Sequence, residues 1–214
     1  MVGLSTLQSA NATTQITFGG FTGDNVNIST LAGYGSNVSA NSADYTVSLG
    51  ATGVTGTPNI GLTWGSGYQT YTAWDAVRGN VGQLDYTSPP GTDISLTFTP
   101  APGSGVLINS FVLDEWTGGG SMNVNWNVSD GTGTLASGVW TRSTGGRDTI
   151  STGLGVGNIT PGQAVTLRFT LNSGAGSYLA LDNLTFDQVP EPSALALGAL
   201  GLGLGALAMR RRGK

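Results

Sequence analysis

Few side chains in this sequence are equipped for catalysis. There is no histidine and no cysteine, which removes imidazole acid–base chemistry, thiol nucleophiles, disulfides and zinc sites together. What remains is carboxylate, hydroxyl, amide and aromatic. Asp114 and Glu115, followed by Trp116, are the only adjacent acids, and two carboxylates are the minimum for glycoside hydrolysis. Neighbours on a strand point to opposite faces, so this pair cannot flank one bond. A solvated acidic strand end is expected instead, and the chain reads as a non-enzyme.

Oxygen ligands for a hard cation are more plentiful. Asp24 lies in a Gly-Asp-Asn turn near the start, and Asp182 and Asn183 lie in the last strand-like run. The first and last strands of jelly rolls commonly neighbour each other, so carboxylate, amide and carbonyl oxygens from these places form a candidate structural calcium site. No EF-hand spacing accompanies it. The alternative is that Asp182 caps a bulge by accepting from local backbone N–H groups.

The run from Trp64 through Tyr68 and Tyr71 to Trp74 gathers four aromatics within eleven residues, with Gly, Ser, Gln and Thr between them. Flat rings beside polar forks suit carbohydrate binding; bulky rings also suit the core of a thin sandwich. Trp64 and Trp74 read as core, whereas Tyr68 and Tyr71, flanked by Gly and Thr, read as exposed.

The elements that must position these residues are short. Of 214 residues, 36 are glycine, 9% are charged and 38% are hydrophobic, too apolar for a disordered chain and too glycine-rich for a helical one. Between 13 and 187 no helical periodicity appears. Period-two rows recur instead, as in Ile94, Leu96 and Phe98, in Met122, Val124, Trp126 and Val128, and in Val165, Leu167, Phe169 and Leu171. Such rows describe half-buried antiparallel strands. Ten are predicted: 15–21, 45–49, 60–64, 83–87, 94–99, 106–113, 122–128, 138–141, 164–171 and 178–186, the last with a phase break at Asp182-Asn183. The expected fold is all-β: a two-sheet antiparallel β-sandwich, jelly-roll-like, over residues 13–188.

Charge separates the two ends. Before Pro190 stand four arginines against ten aspartates and Glu115, a net −7; from Pro190 onward Arg210, Arg211, Arg212 and Lys214 oppose Glu191, a net +3. No basic stripe is available to neutralise phosphates, so nucleic acid is excluded as a partner. Ser193 to Met209 is a run of seventeen uncharged residues, about 25 Å as a helix at 1.5 Å per residue, the short end of what crosses a hydrocarbon core of roughly 30 Å. Residues 193–209 are therefore expected to form one C-terminal transmembrane helix. Arg210, Arg211 and Arg212 would act as a membrane stop on the cytoplasmic side, leaving the sandwich outside. Pro190 and Pro192 interrupt regular structure and make an extended hinge.

The order Val189-Pro190-Glu191-Pro192-Ser193, then an apolar span, then an arginine cluster resembles the PEP-CTERM sorting signal of bacterial surface proteins. The resemblance covers residues 189–214. It implies an exosortase as partner, a membrane-embedded protease that cleaves near Pro190, Glu191 and Pro192, and it implies a membrane anchor, transient or retained, on the way to the cell surface. Within the body, Ser121–Trp140 and Tyr178–Phe186 are similar in style to galactose-binding-like jelly rolls, which hints at surface polysaccharide as a further partner. Ala10-Asn11-Ala12 has the form of a signal-peptidase site, so 1–12 is expected to be the end of a signal peptide. An exported structural or adhesive protein of a polysaccharide or biofilm layer is the functional expectation, with a lectin-like module using residues 64–74 as the alternative and a glycan-active hydrolase behind it.

Overall fold

The period-two rows do form strands, and a computed structural model shows how they pair. It describes residues 12–31, 34, 45–49, 60–74, 79–84, 93–115, 121–142, 146–155, 160–173 and 178–190. Among these lie twelve strands in two sheets whose pairings are all antiparallel. One sheet runs in the order β10 (Arg147–Ser151), β7 (Ser104–Glu115), β12 (Leu179–Pro190), β1 (Ala12–Ile16) and β2 (Tyr45–Leu49). β5 (Val81–Leu84) also pairs with β12, and β4 (Tyr68–Tyr71) pairs with β5. The second sheet runs β3 (Ile60–Trp64), β6 (Asp93–Pro100), β11 (Val165–Ser173), β8 (Met122–Asp130) and β9 (Gly133–Arg142).

β12 is the organising strand of the first sheet. One of its edges pairs with β7, and the other is divided between β5 at Leu179–Leu181 and β1 at Leu184–Gln188. The first and last strands are thus neighbours, as expected. Inward rows from both sheets meet in one apolar layer. Ile108, Phe111, Leu113, Leu181, Leu184 and Phe186 on one side and Leu96, Phe98, Val124, Leu167 and Phe169 on the other are all wholly buried. Rings lock the layers edge to face: Phe98 with Phe186 at 5.1 Å, Phe111 with Phe169 at 5.3 Å and Phe111 with Trp126 at 5.7 Å. Each such side chain contributes about 1.5–3 kcal/mol by leaving water, so this layer is the main favourable term in folding.

The phase break at Asp182-Asn183 has a physical cause. The register of β12 shifts between Asp182 and Thr185, and Asn183 adopts φ 46°. The extra residue lets Leu181 and Leu184 both point inward although an odd number of steps separates them.

Several strand limits differ from those expected. β1 stops at Ile16 rather than continuing to Phe21, because Phe18 takes φ 55° and turns the chain while keeping its ring buried. A single turn of 3-10 helix, Ile28–Thr30, follows, capped by Asn27 Oδ1 accepting from the Ser29 N–H at 3.0 Å. β4 and β10 were not among the expected strands. β10 is too polar for its alternation to be visible, with Arg147, Thr149 and Ser151 all exposed. β12 continues past residue 188 to Pro190, which stands opposite Ser104; a proline fits there because a strand end demands no further N–H.

Among the described residues no helix is long and apolar enough to cross a membrane. Residues 1–11, Glu191, Pro192, the expected transmembrane helix at 193–209 and Arg210–Arg212 lie outside the described residues.

Gly138 on β9 stands opposite Trp126, and a Cβ placed there would come within 2.7 Å of the indole ring. Gly138→Val should therefore cost about 1–3 kcal/mol through overpacking, read as a lowered midpoint in denaturant unfolding with an unchanged slope.

Candidate functional site

The four aromatics of the 64–74 run are spent on packing. Tyr68 is completely buried, which corrects the expectation that it is exposed; Trp64 is buried beside it, the rings 5.0 Å apart and edge to face. Trp64 also donates its indole N–H to the Tyr34 carbonyl at 2.8 Å. Tyr71 is half-buried rather than exposed. It packs at 5.6 Å on Trp74, which forms a small cluster with Val81 and Ala180 on the outer side of the first sheet. The cause is β4 itself: strand alternation sends Tyr68 into the sandwich and Tyr71 to the opposite face. Trp64, Tyr68 and Trp74 are thus buried, and Tyr71 is the ring of the run that keeps part of its surface exposed.

Asp114 and Glu115 do point to opposite faces, but they are not solvated. Their relative exposures are 1% and 0%, because β10 and β12 flank β7 on both sides up to its end. Glu115 continues the inward row of Phe111 and Leu113, while Asp114 lies in register with Arg147 and Ala180. The Glu115 carboxyl oxygens have no hydrogen-bond partner among the described residues. Burial pushes its pKa up, and the Arg142 guanidinium draws it partly back.

The candidate calcium ligands each have protein partners. Asp182 Oδ2 accepts from Arg147 Nη2 at 2.9 Å and from Asn183 Nδ2 at 3.0 Å, and Oδ1 accepts from the Asn183 N–H at 2.7 Å. This is the bulge cap that was the alternative to a cation site. Asp24 Oδ1 takes both the N–H and the hydroxyl of Thr72, each at 2.7 Å. Among the described residues no group of three or more acidic side chains is gathered around either. Of the sorting residues, Pro190 closes β12, while Glu191 and Pro192 lie outside the described residues.

A place not anticipated from sequence is the outer face of the second sheet. There a groove of ≈ 680 Å³ follows β8, with β9 on one side and β11 on the other. Its lining includes Asn125, Asn127, Ser137, Val139, Arg168 and Thr170. Alternation makes it: Met122, Val124, Trp126 and Val128 go inward, so Asn123, Asn125 and Asn127 go outward. Their carboxamides form a ladder across three strands. Asn123 donates to Thr141 at 3.2 Å, Asn125 to Asn172 at 3.1 Å, Asn172 to Asn123 at 2.7 Å and Asn127 to Thr134 at 3.0 Å. Arg168 pairs with Asp93 at 3.5 Å, and the Thr170 hydroxyl also donates to Asp93. In the sequence, the period-two asparagines Asn123, Asn125 and Asn127 are the signal that marks this face.

With this geometry in place, comparison with known proteins adds one firm result. A family model described as the PEP-CTERM protein-sorting motif matches residues 188–212. The motif marks an exported, surface-destined protein and implies an exosortase as its processing partner. Its first three residues, Gln188 to Pro190, belong to β12; Gln188 is wholly buried and donates its amide to Thr14 Oγ1 at 3.2 Å.

No curated protein matches the chain significantly. Among solved structures, the Stig cyclase Fisc from Fischerella sp. TAU is similar at 17% identity over 66% of this chain and 80% of that one, with a TM-score of 0.35. The MgGH51 α-L-arabinofuranosidase is similar at 10% identity over 80% and 27% of the two chains, TM-score 0.39. TmCBM61, in complex with β-1,4-galactotriose, is similar at 14% identity over 62% and 88%, TM-score 0.30. Likenesses of this size transfer neither ligand nor activity.

Two outcomes follow from the buried groups. The folded Glu115 carboxyl keeps its proton to higher pH than the unfolded one, so its contribution is fully favourable below the ordinary carboxylate range and is lost as pH rises through the raised value. Glu115→Gln should thus exceed the parent in stability near neutral pH and converge with it below about pH 4, as read by urea unfolding at both. At the bulge, Asn183→Val should cost about 1–3 kcal/mol through strain at positive φ, while Asn183→Gly should come within about 1 kcal/mol of the parent.

Proposed function

We propose that the chain is an exported structural or adhesive protein of an extracellular polysaccharide or biofilm layer. In this reading the jelly-roll-like sandwich is the passenger and does no chemistry. Residues 193–209 hold it in the membrane, with Arg210–Arg212 on the cytoplasmic side, until an exosortase acts at Pro190, Glu191 and Pro192. The carrying observation is the sorting motif over residues 188–212.

The passenger supports a role without chemistry. Asp114 and Glu115 diverge across the sheet, and Asp182 is held by Arg147 and Asn183. Burial of Trp64, Tyr68 and Trp74 favours the structural reading over a lectin-like role through residues 64–74.

Mass spectrometry of the surface fraction tests the reading. The mature protein should contain no peptide reaching beyond Ser193, and Glu191→Ala should accumulate in the membrane fraction with its C-terminus intact. A cell-bound mature form that still contains Ala194–Met209 would contradict processing.

A further inference from the structure

We propose that the groove on the outer face of the second sheet binds an uncharged polysaccharide chain, using the carboxamide ladder of β8 and the hydroxyls of β9 and β11 as hydrogen-bonding forks. The proposal rests on the surface reading above and names the partner class and the site, which lies on the sheet opposite the one carrying the sorting strand.

The shape comes first. A trough of ≈ 680 Å³ falls within the range of roughly 300–1,000 Å³ that ligand sites occupy. It lies along strands rather than in a closed hole, which suits a polymer entering and leaving at both ends.

The polar chemistry comes second. A carboxamide carries two N–H donors and an oxygen with two lone pairs. Asn125 and Asn127 each commit one N–H to the ladder, which fixes their orientation. A second N–H and the oxygen of each remain to meet a donor–acceptor partner such as a sugar hydroxyl. Ser137 sits opposite Asn127 across the β8–β9 pairing, and Val139 sits opposite Asn125 with 62% of its surface exposed. Val139 supplies the apolar spot on which the C–H face of a sugar ring rests.

Charge decides between a neutral and an anionic chain. The groove's one guanidinium, Arg168, is paired with Asp93. Asp130, at the hairpin end, accepts from the Thr132 hydroxyl at 2.6 Å, the Thr132 N–H at 2.7 Å and the Gly133 N–H at 3.1 Å, and these bonds hold its pKa below the usual carboxylate value. The groove therefore presents a fixed anion and a neutralised cation, on a body that carries net −7 before Pro190. An anionic polymer is repelled at long range; a neutral polyol is not.

The test is affinity electrophoresis of the full chain in non-ionic detergent through gels containing dextran, β-1,4-galactan, β-1,4-mannan or the anionic alginate. At least one neutral polymer should retard the protein at both low and high salt, and alginate should not. Asn125→Ala with Asn127→Ala should weaken that retardation roughly tenfold, in line with the loss of one or two hydrogen bonds, with the melting temperature close to the parent's. Ser137→Arg, which leaves the ladder in place and fills the trough, should abolish it. Retardation by no neutral polymer, retardation by alginate alone, or unchanged retardation in either variant overturns the proposal. So does a concentration-dependent dimer that the same variants dissolve, which would assign the face to a second copy of the chain. Because the assay uses purified full-length protein, retardation here without processing in cells would leave this proposal standing and overturn the sorting reading, whereas processing in cells without retardation here would do the opposite.

Discussion

Every feature of the passenger depends on two β-sheets burying their inner faces against each other. Strand alternation gives each sheet one apolar row per strand, and the rows close on a layer built from Leu, Val and Phe, with Phe111 reaching both Trp126 and Phe169. The same alternation sets what is left outside. Met122, Val124, Trp126 and Val128 face in, so Asn123, Asn125 and Asn127 must face out. The carboxamide ladder is thus the complement of the core, and its spacing is inherited from packing it takes no part in.

The fold was legible because burial has a period. Strands with a clean apolar row, such as Ile94–Phe98 in β6 and Val165–Leu171 in β11, appear where expected, and the phase break at Asp182-Asn183 marks a real bulge. Strands whose existence depends on neighbours were not legible. β10 is a polar edge with no row of its own, held by β7 and by Arg147 reaching Asp182. β4 is hard to see because its tyrosines are flanked by small polar residues and read as exposed, yet Tyr68 packs edge to face on Trp64 inside the core.

The candidate site shows the same limit more sharply. Residue type singled out aromatics and acids, but those went into packing, into the bulge cap and into Glu115 at the end of the core. The groove is built from Asn, Ser and Thr, the commonest outward residues of the chain, and it becomes visible only when β8, β9 and β11 lie side by side. Sorting is the opposite case. Its signal is linear, so it reads directly from the sequence without any fold.

That linear signal begins inside the sheet, at the end of β12. Tension applied from beyond Pro190 would enter a strand that has antiparallel neighbours on both edges, β7 along one and β1 with β5 along the other. The pull runs parallel to the strand, so the ladders on its two edges are loaded in shear together, whereas an outermost strand such as β9 has a ladder along one edge only. A load entering by this end is therefore shared between two ladders from Gln188 inward.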